Sequence, residues 1–234
     1  MRSRRLIAHW APVFVAVAAL VAFATAAKAQ TDPPITLNSL IGVDEAHALV
    51  VGDKEFYGFT YQGQPATASD ITISTLSSPQ IGLQFNYQWT STSASKVDSI
   101  IGYFVHTRDA IPQFFINGVG LTFNGTTSSA NNAATNATVT ETVYAADQTT
   151  QLGQLSVIDF GAGNANNKDS ATLPISPAAR TLFVRKDIQA DSGGGGTATI
   201  SFVDNNFSQT PEPASIGLLA VGAGTLLLRR RRAI

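Results

Sequence analysis

Three observations predict an all-β fold, an antiparallel β-sandwich of jelly-roll-like form, flanked by an N-terminal signal helix and a C-terminal single transmembrane helix. Apolar residues between positions 30 and 208 recur with a period of two, the signature of half-buried strands. The runs that carry this period are short and are divided by Gly, Asn, Ser and Pro, the residues of turns. The two ends break the pattern, each placing an apolar run beside a basic cluster.

Residues 1–29 read as a signal peptide. MRSRRLIAHW is basic, Ala11 to Ala26 is almost wholly apolar, and Ala27-Lys28-Ala29 supplies the small-x-small cleavage pattern, which sets the mature start at Gln30. Ser3-Arg4-Arg5 followed by Leu6-Ile7 also partly matches a twin-arginine signal, so the export route stays open.

Residues 30–208 form the predicted sandwich domain. Ile81, Leu83, Phe85, Tyr87 and Trp89 alternate with Gly82, Gln84, Asn86 and Gln88 in a strand with one apolar face. Leu182, Val184 and Ile188 share a face with Lys186, opposite Thr181, Arg185, Asp187 and Gln189. Ala198, Ile200 and Phe202 alternate with Thr197, Thr199 and Ser201. Shorter strands are expected over 55–61, 71–75, 97–107, 114–123, 137–144 and 154–160, about nine in all. GTTSSANNAATNA, residues 125–137, is an exposed connection, and SGGGGT, residues 192–197, a flexible turn.

Charge is segregated. Eight of the 15 Lys and Arg lie in the two terminal clusters, so seven face all 16 Asp and Glu in between, a net charge of −9. An acidic body without a basic stripe argues against nucleic acid, whose phosphates need clustered Lys or Arg. The chain has no cysteine, which removes disulfides and thiolate metal sites.

Signals for catalysis are missing. Asp44-Glu45-Ala46-His47 spells a helicase string, but no phosphate-binding G-x-x-x-x-G-K-[ST] loop accompanies it. His47 and His106 are the histidines beyond the leader, too few for a three-histidine metal site. Neither G-x-S-x-G nor H-E-x-x-H occurs, and no residue is assigned as catalytic or as a metal ligand. The expectation is therefore a non-enzymatic protein. A hydrolase would require a carboxylate pair about 5–10 Å apart in a cleft. A structural calcium ion is the one cofactor the composition suggests, through oxygens of Asp159 to Asp169 (DFGAGNANNKD) or Asp204-Asn205-Asn206, although neither matches a calcium-loop consensus. Carbohydrate binding would need aromatics displayed on one face. Tyr57, Tyr61, Tyr87, Trp89 and Tyr103 are available, but their alternation places most of them in the core.

Residues 209–234 end the chain. Ala214 to Leu228 is free of charge and as a helix covers about 22 Å at ~1.5 Å per residue, short for a hydrocarbon core of roughly 30 Å. Arg229, Arg230, Arg231 and Arg232 extend it by snorkelling and hold that end on the cytoplasmic side, leaving everything before it outside. Pro211-Glu212-Pro213, a short Gly- and Leu-rich apolar helix and a terminal Arg cluster together resemble the PEP-CTERM sorting signal of exosortase substrates in Gram-negative bacteria. The resemblance implies that Pro211, Glu212 and Pro213 are the sorting motif and that residues 214–228 are a transient membrane helix. It makes Arg229 to Arg232 the stop-transfer charge. It further implies an exosortase-type processing enzyme as partner and delivery to the cell surface or its exopolysaccharide matrix. Alternatives are a carbohydrate-binding, exopolysaccharide-associated module and a permanently tail-anchored envelope protein.

Overall fold

The computed structural model describes residues 35–209, apart from 78–79, 93–94, 110–113, 129–134 and 162–163. The signal segment with its cleavage residues Ala27 and Ala29, the motif Pro211 to Pro213, the apolar span 214–228 and Arg229 to Arg232 lie outside the described residues. No described helix is long and apolar enough to cross a membrane.

Twelve strands form among the described residues: β1 (Ile35–Thr36), β2 (Leu49–Val51), β3 (Lys54–Gln64), β4 (Thr72–Leu76), β5 (Ile81–Thr92), β6 (Lys96–Thr107), β7 (Ile116–Ser128), β8 (Asn136–Ala145), β9 (Gln151–Asp159), β10 (Ser170–Ala179), β11 (Thr181–Asp191) and β12 (Thr197–Gln209). They make two six-stranded antiparallel sheets, β1-β4-β5-β12-β7-β10 and β2-β3-β6-β11-β8-β9. From β5 to β8, and again from β9 to β12, each connection crosses from one sheet to the other.

Alternation builds the core between the sheets. Leu182, Val184, Lys186, Ile188 and Ala190 of β11 point inward and are fully buried, as the period of two predicts. Leu83, Phe85 and Trp89 of β5 do the same, while Tyr87 is only half-buried and packs on the core from its margin. On β12 the alternation changes phase. Ala198 and Ile200 are buried, then Val203, Asn205 and Phe207 take the inward positions and Phe202 turns partly outward. The cause is a register shift between Ile200 and Phe202 against both neighbours, which places two consecutive residues on the outer face. β10 escapes sequence detection because Pro174 and Pro177 interrupt it. It tolerates them because it is an edge strand bonded only to β7.

One polar group of residues sits inside this apolar layer. Lys186 and Glu141 are register partners on β11 and β8, and both are completely buried. The Lys186 ammonium donates to Glu141 Oε2, and also to Asn205 Oδ1 of the facing sheet at 3.3 Å. Asn205 Nδ2 donates to Glu141 Oε1 at 3.1 Å and to the Gly120 carbonyl at 2.9 Å. The Tyr103 hydroxyl donates to Asn205 Oδ1. Phe85 lies below the ammonium, 5.8 Å from Nζ to the ring centroid, and Phe59 stacks on Tyr103. Such groups stay folded inward only when every donor and acceptor is matched, because a buried unpaired charge is strongly destabilising.

Candidate functional site

The solvent side of the second sheet carries a row of aromatic side chains that register alone brings together. Tyr57 of β3 lies opposite Phe104 of β6, Phe104 opposite Phe183 of β11, and Phe183 opposite Tyr144 of β8. Tyr57 and Phe104 stack at 5.2 Å with 12° between their planes. Phe104 and Phe183 are tilted at 5.0 Å, and Phe183 and Tyr144 at 6.2 Å. All four are half-buried, held by one another and open to water along the outer edge.

Gly58 explains the position of the first pair. β3 holds an extra residue against β6 between Tyr57 and Thr60, and Gly58 sits there at φ 64°. A Cβ at Gly58 would lie 2.9 Å from Phe104 Cδ2, so the stack needs this glycine for space as well as for its backbone angle.

Polar groups continue the same face. Gln62, Gln64 and Asp98 with Ile100 line a shallow depression. Asp187 stands on the neighbouring strand opposite Ile100. Burial, followed by the negative charge of the neighbouring Asp98, holds Asp187 above the usual carboxylate range, while Arg185 and Lys96 oppose this. One oxygen of each carboxyl is shielded from water without a hydrogen-bond partner among the described residues. Chemically, the face offers ring edges and C–H surface beside amide and carboxyl groups, the mixture that sugar hydroxyls and ring faces meet.

At one end of the same sheet lies a charged cluster. Donor atoms of Glu45, Glu55 and His106 lie within 4.8 Å of one another, enough for three ligands of a divalent ion. Two arginines already occupy this region. Arg108 pairs with Glu55 at 3.5 Å, and Arg180 pairs with Asp109 at 2.8 Å beside His106. The His106 ring meets Thr181 Oγ1 at 2.7 Å and Asp109 at 3.4 Å. Two arginines thus pair with carboxylates of the cluster, which fits an ion-pair network at least as well as a metal centre.

The other sequence candidates have local roles. Asp44 caps the short 3-10 helix Glu45–His47, accepting from the His47 backbone N–H at 3.2 Å and from its ring at 2.7 Å. The hydrogen bond to His47 lowers its carboxyl below the usual range. In the segment 159–169, Asp159 accepts from the Gly161 N–H at 2.6 Å, and Asn167 accepts from the Phe160 N–H at 2.8 Å. These oxygens close their own turn. Asp204, Asn205 and Asn206 alternate across β12, with Asn205 in the core, so they do not converge on one ion. Trp89 and Tyr103 are fully buried, and Tyr61 and Tyr87 pack against the core, as their alternation predicts; Tyr57 belongs to the outer row.

Residues 209–232 match the PEP-CTERM protein-sorting motif, beginning at the residue where β12 ends. No curated protein matches the sequence. Among solved structures, the chain is similar to TmCBM61 in complex with β-1,4-galactotriose, at 9% identity over 66% of this chain and 88% of that one, with a TM-score of 0.31. It is also similar to the carbohydrate-binding module CBM6cm-2 from Cellvibrio mixtus lichenase 5A in complex with cellotriose, at 10% identity over 63% and 90%, TM-score 0.25. A third is the C-terminal domain of a chitobiase from Bacteroides fragilis, at 16% identity over 70% and 99%, TM-score 0.28. Likeness at this level carries no argument about function.

Proposed function

We propose that this chain is an exported, non-enzymatic protein of the cell surface or extracellular matrix, held briefly in the inner membrane and released through its C-terminal PEP motif by an exosortase-type enzyme. The observation that carries this reading is the sorting-motif match over residues 209–232, which follows the last strand without an intervening domain. Pro211, Glu212 and Pro213 are read by the processing enzyme, residues 214–228 span the bilayer during sorting, and Arg229 to Arg232 oppose translocation.

The test is fractionation of cells that contain the sorting enzyme, with the mass of the recovered protein measured in each fraction. The surface form should start near Gln30 and lack Arg229 to Arg232. Neutral residues in place of the four arginines should leave the C-terminal run uncut. Matrix-located protein that retains its arginines would overturn the reading, and wild type held entirely in the membrane at full length would establish a permanent anchor instead.

A second reading, that the body binds exopolysaccharide, is favoured by the aromatic row Tyr57, Phe104, Phe183 and Tyr144. Jelly-roll-like wiring, which the sheet-to-sheet crossings support, is an architecture that lectin domains share. Tyr57→Ala and Phe183→Ala should each weaken retention on immobilised matrix polysaccharide at least tenfold while the far-UV circular dichroism is kept. Unchanged retention in both would remove the face from consideration.

A further inference from the structure

Lys186, Glu141, Asn205 and Tyr103 form a buried, mutually hydrogen-bonded group in the core. An amine, a carboxyl and a primary amide meet in a water-excluded core, on three strands belonging to both sheets. Their hydrogen bonds set distinct roles. Lys186 Nζ is 3.3 Å from Asn205 Oδ1, and the Asn205 carbonyl carbon is about 1.2 Å from that oxygen along the C=O bond. Reacting atoms in a productive arrangement stand roughly 3–3.5 Å apart, so a small side-chain movement brings nucleophile and carbon into range. Glu141 touches both nitrogens that exchange protons in an acyl transfer, accepting from Lys186 through one oxygen and from Asn205 Nδ2 through the other. The Tyr103 hydroxyl points at the oxygen on which negative charge develops.

From this arrangement we propose that Lys186 and Asn205 join in an intramolecular amide bond, formed without any other enzyme, with Glu141 moving the proton and Tyr103 stabilising the oxyanion. The ammonium of Lys186 passes a proton to the Glu141 carboxylate and becomes a neutral amine. Its lone pair attacks Asn205 Cγ, the Nζ–Cγ bond forms, and the electron pair of the C=O bond moves to Oδ1, where the Tyr103 hydroxyl holds it. Glu141 delivers its proton to Nδ2 and takes a second one from Nζ. The carbonyl reforms, the Cγ–Nδ2 bond breaks, and Nδ2 leaves as ammonia. Atoms and charge balance: an ammonium, a carboxylate and a primary amide become a secondary amide, a carboxylic acid and ammonia. No oxidant, cofactor or nucleotide takes part.

Two features of the surroundings favour the step. Burial lowers the Lys186 pKa below its usual value despite the opposing Glu141 charge, which favours the neutral amine that attacks. Burial, together with the Glu141 charge, raises the Tyr103 phenol well above its own, so it stays a donor. Asn205 is held in the orientation the reaction needs because the Gly120 carbonyl and Glu141 accept both of its amide hydrogens. The product bond ties β11 of one sheet to β12 of the other across the core.

Peptide mapping of the folded full-length chain tests the proposal without relying on a variant. Cleavage before aspartate cuts between the two residues at Asp187, Asp191 and Asp204. The expected product is a pair of fragments, one containing Lys186 and the other Asn205, joined by a side-chain amide and about 17 Da lighter than their sum, the mass of ammonia. Glu141→Gln and Lys186→Met, checked for folding by circular dichroism, should yield the two fragments separately at full mass. Separate full-mass fragments from the folded wild type would overturn the proposal. A link from Lys186 to Glu141, with loss of about 18 Da and Asn205 intact, would overturn it equally.

Discussion

Replacing Trp89 tests whether the sandwich core is held as described, and its two substitutions separate burial from hydrogen bonding. The indole is fully buried, its ring meets Tyr87 edge-on at 5.3 Å and 76°, and its Nε1 donates to Ser99 Oγ at 3.0 Å. Trp89→Ala removes the largest buried side chain and should cost about 3–5 kcal/mol, transfer and cavity terms together. Trp89→Phe keeps much of the ring and deletes the donor. Ser99 Oγ retains the Tyr61 hydroxyl at 3.1 Å, so this change should cost only about 1 kcal/mol. Urea unfolding followed by far-UV circular dichroism gives both values, provided the slopes with denaturant agree. An alanine variant within about 1 kcal/mol of wild type would refute the buried position. Equal losses in both variants would show that the hydrogen bond, and not burial, dominates.

Three substitutions test other parts of the fold. Asp147 accepts from the Thr149 and Thr150 N–H groups and from Thr150 Oγ1, and chiefly the Thr150 side-chain bond brings its pKa down to about 2. The folded state therefore prefers the ionised form, and this stabilisation is present above the usual carboxylate pKa and lost as pH falls through about 2. Asp147→Asn should lower the melting temperature at pH 7 and match wild type below about pH 2; a gap that stays constant with pH would contradict the assignment. Gly58→Ala should cost about 1–2 kcal/mol from the left-handed backbone alone, read by the same urea titration, and unaltered stability would show that the bulge is absent. Gln148, at φ 60°, is the non-glycine residue in that region among those described, and Gln148→Gly should raise stability by roughly 0.5 kcal/mol or more in thermal unfolding.

The sheets were legible because alternation is a local property. Ile81 to Trp89 and Thr181 to Gln189 announce a strand and name its buried face without reference to anything distant. Even the position of Lys186 on the apolar side is legible in this way. Its partners are not, because Glu141 and Asn205 reach it only through pairing that links positions far apart in the chain. The aromatic row is hidden for the same reason. Tyr57, Phe104, Phe183 and Tyr144 sit on four different strands, and nothing local in any one of them reveals the register that aligns them. Simple alternation puts Phe202 on the inner face, because the bulge leaves no composition signal at Ser201. The sorting motif is the opposite case: its residues are contiguous, so the order of turn, apolar run and arginines is complete in the sequence itself.

The last strand also sets how the domain bears a pull. β12 lies in the middle of its sheet, bonded to β5 on one side and β7 on the other along most of its 13 residues, and its final residue, Gln209, is gripped by Lys54 Nζ at 2.9 Å. Traction on the chain beyond Gln209 acts along the strand, across hydrogen bonds that lie perpendicular to it. Two ladders are then loaded in shear, and their bonds share the tension and yield together. An edge strand pulled in the same direction would have a single ladder to share the load. A force applied at Gln209 is thus borne by a strand with hydrogen-bonded neighbours on both sides.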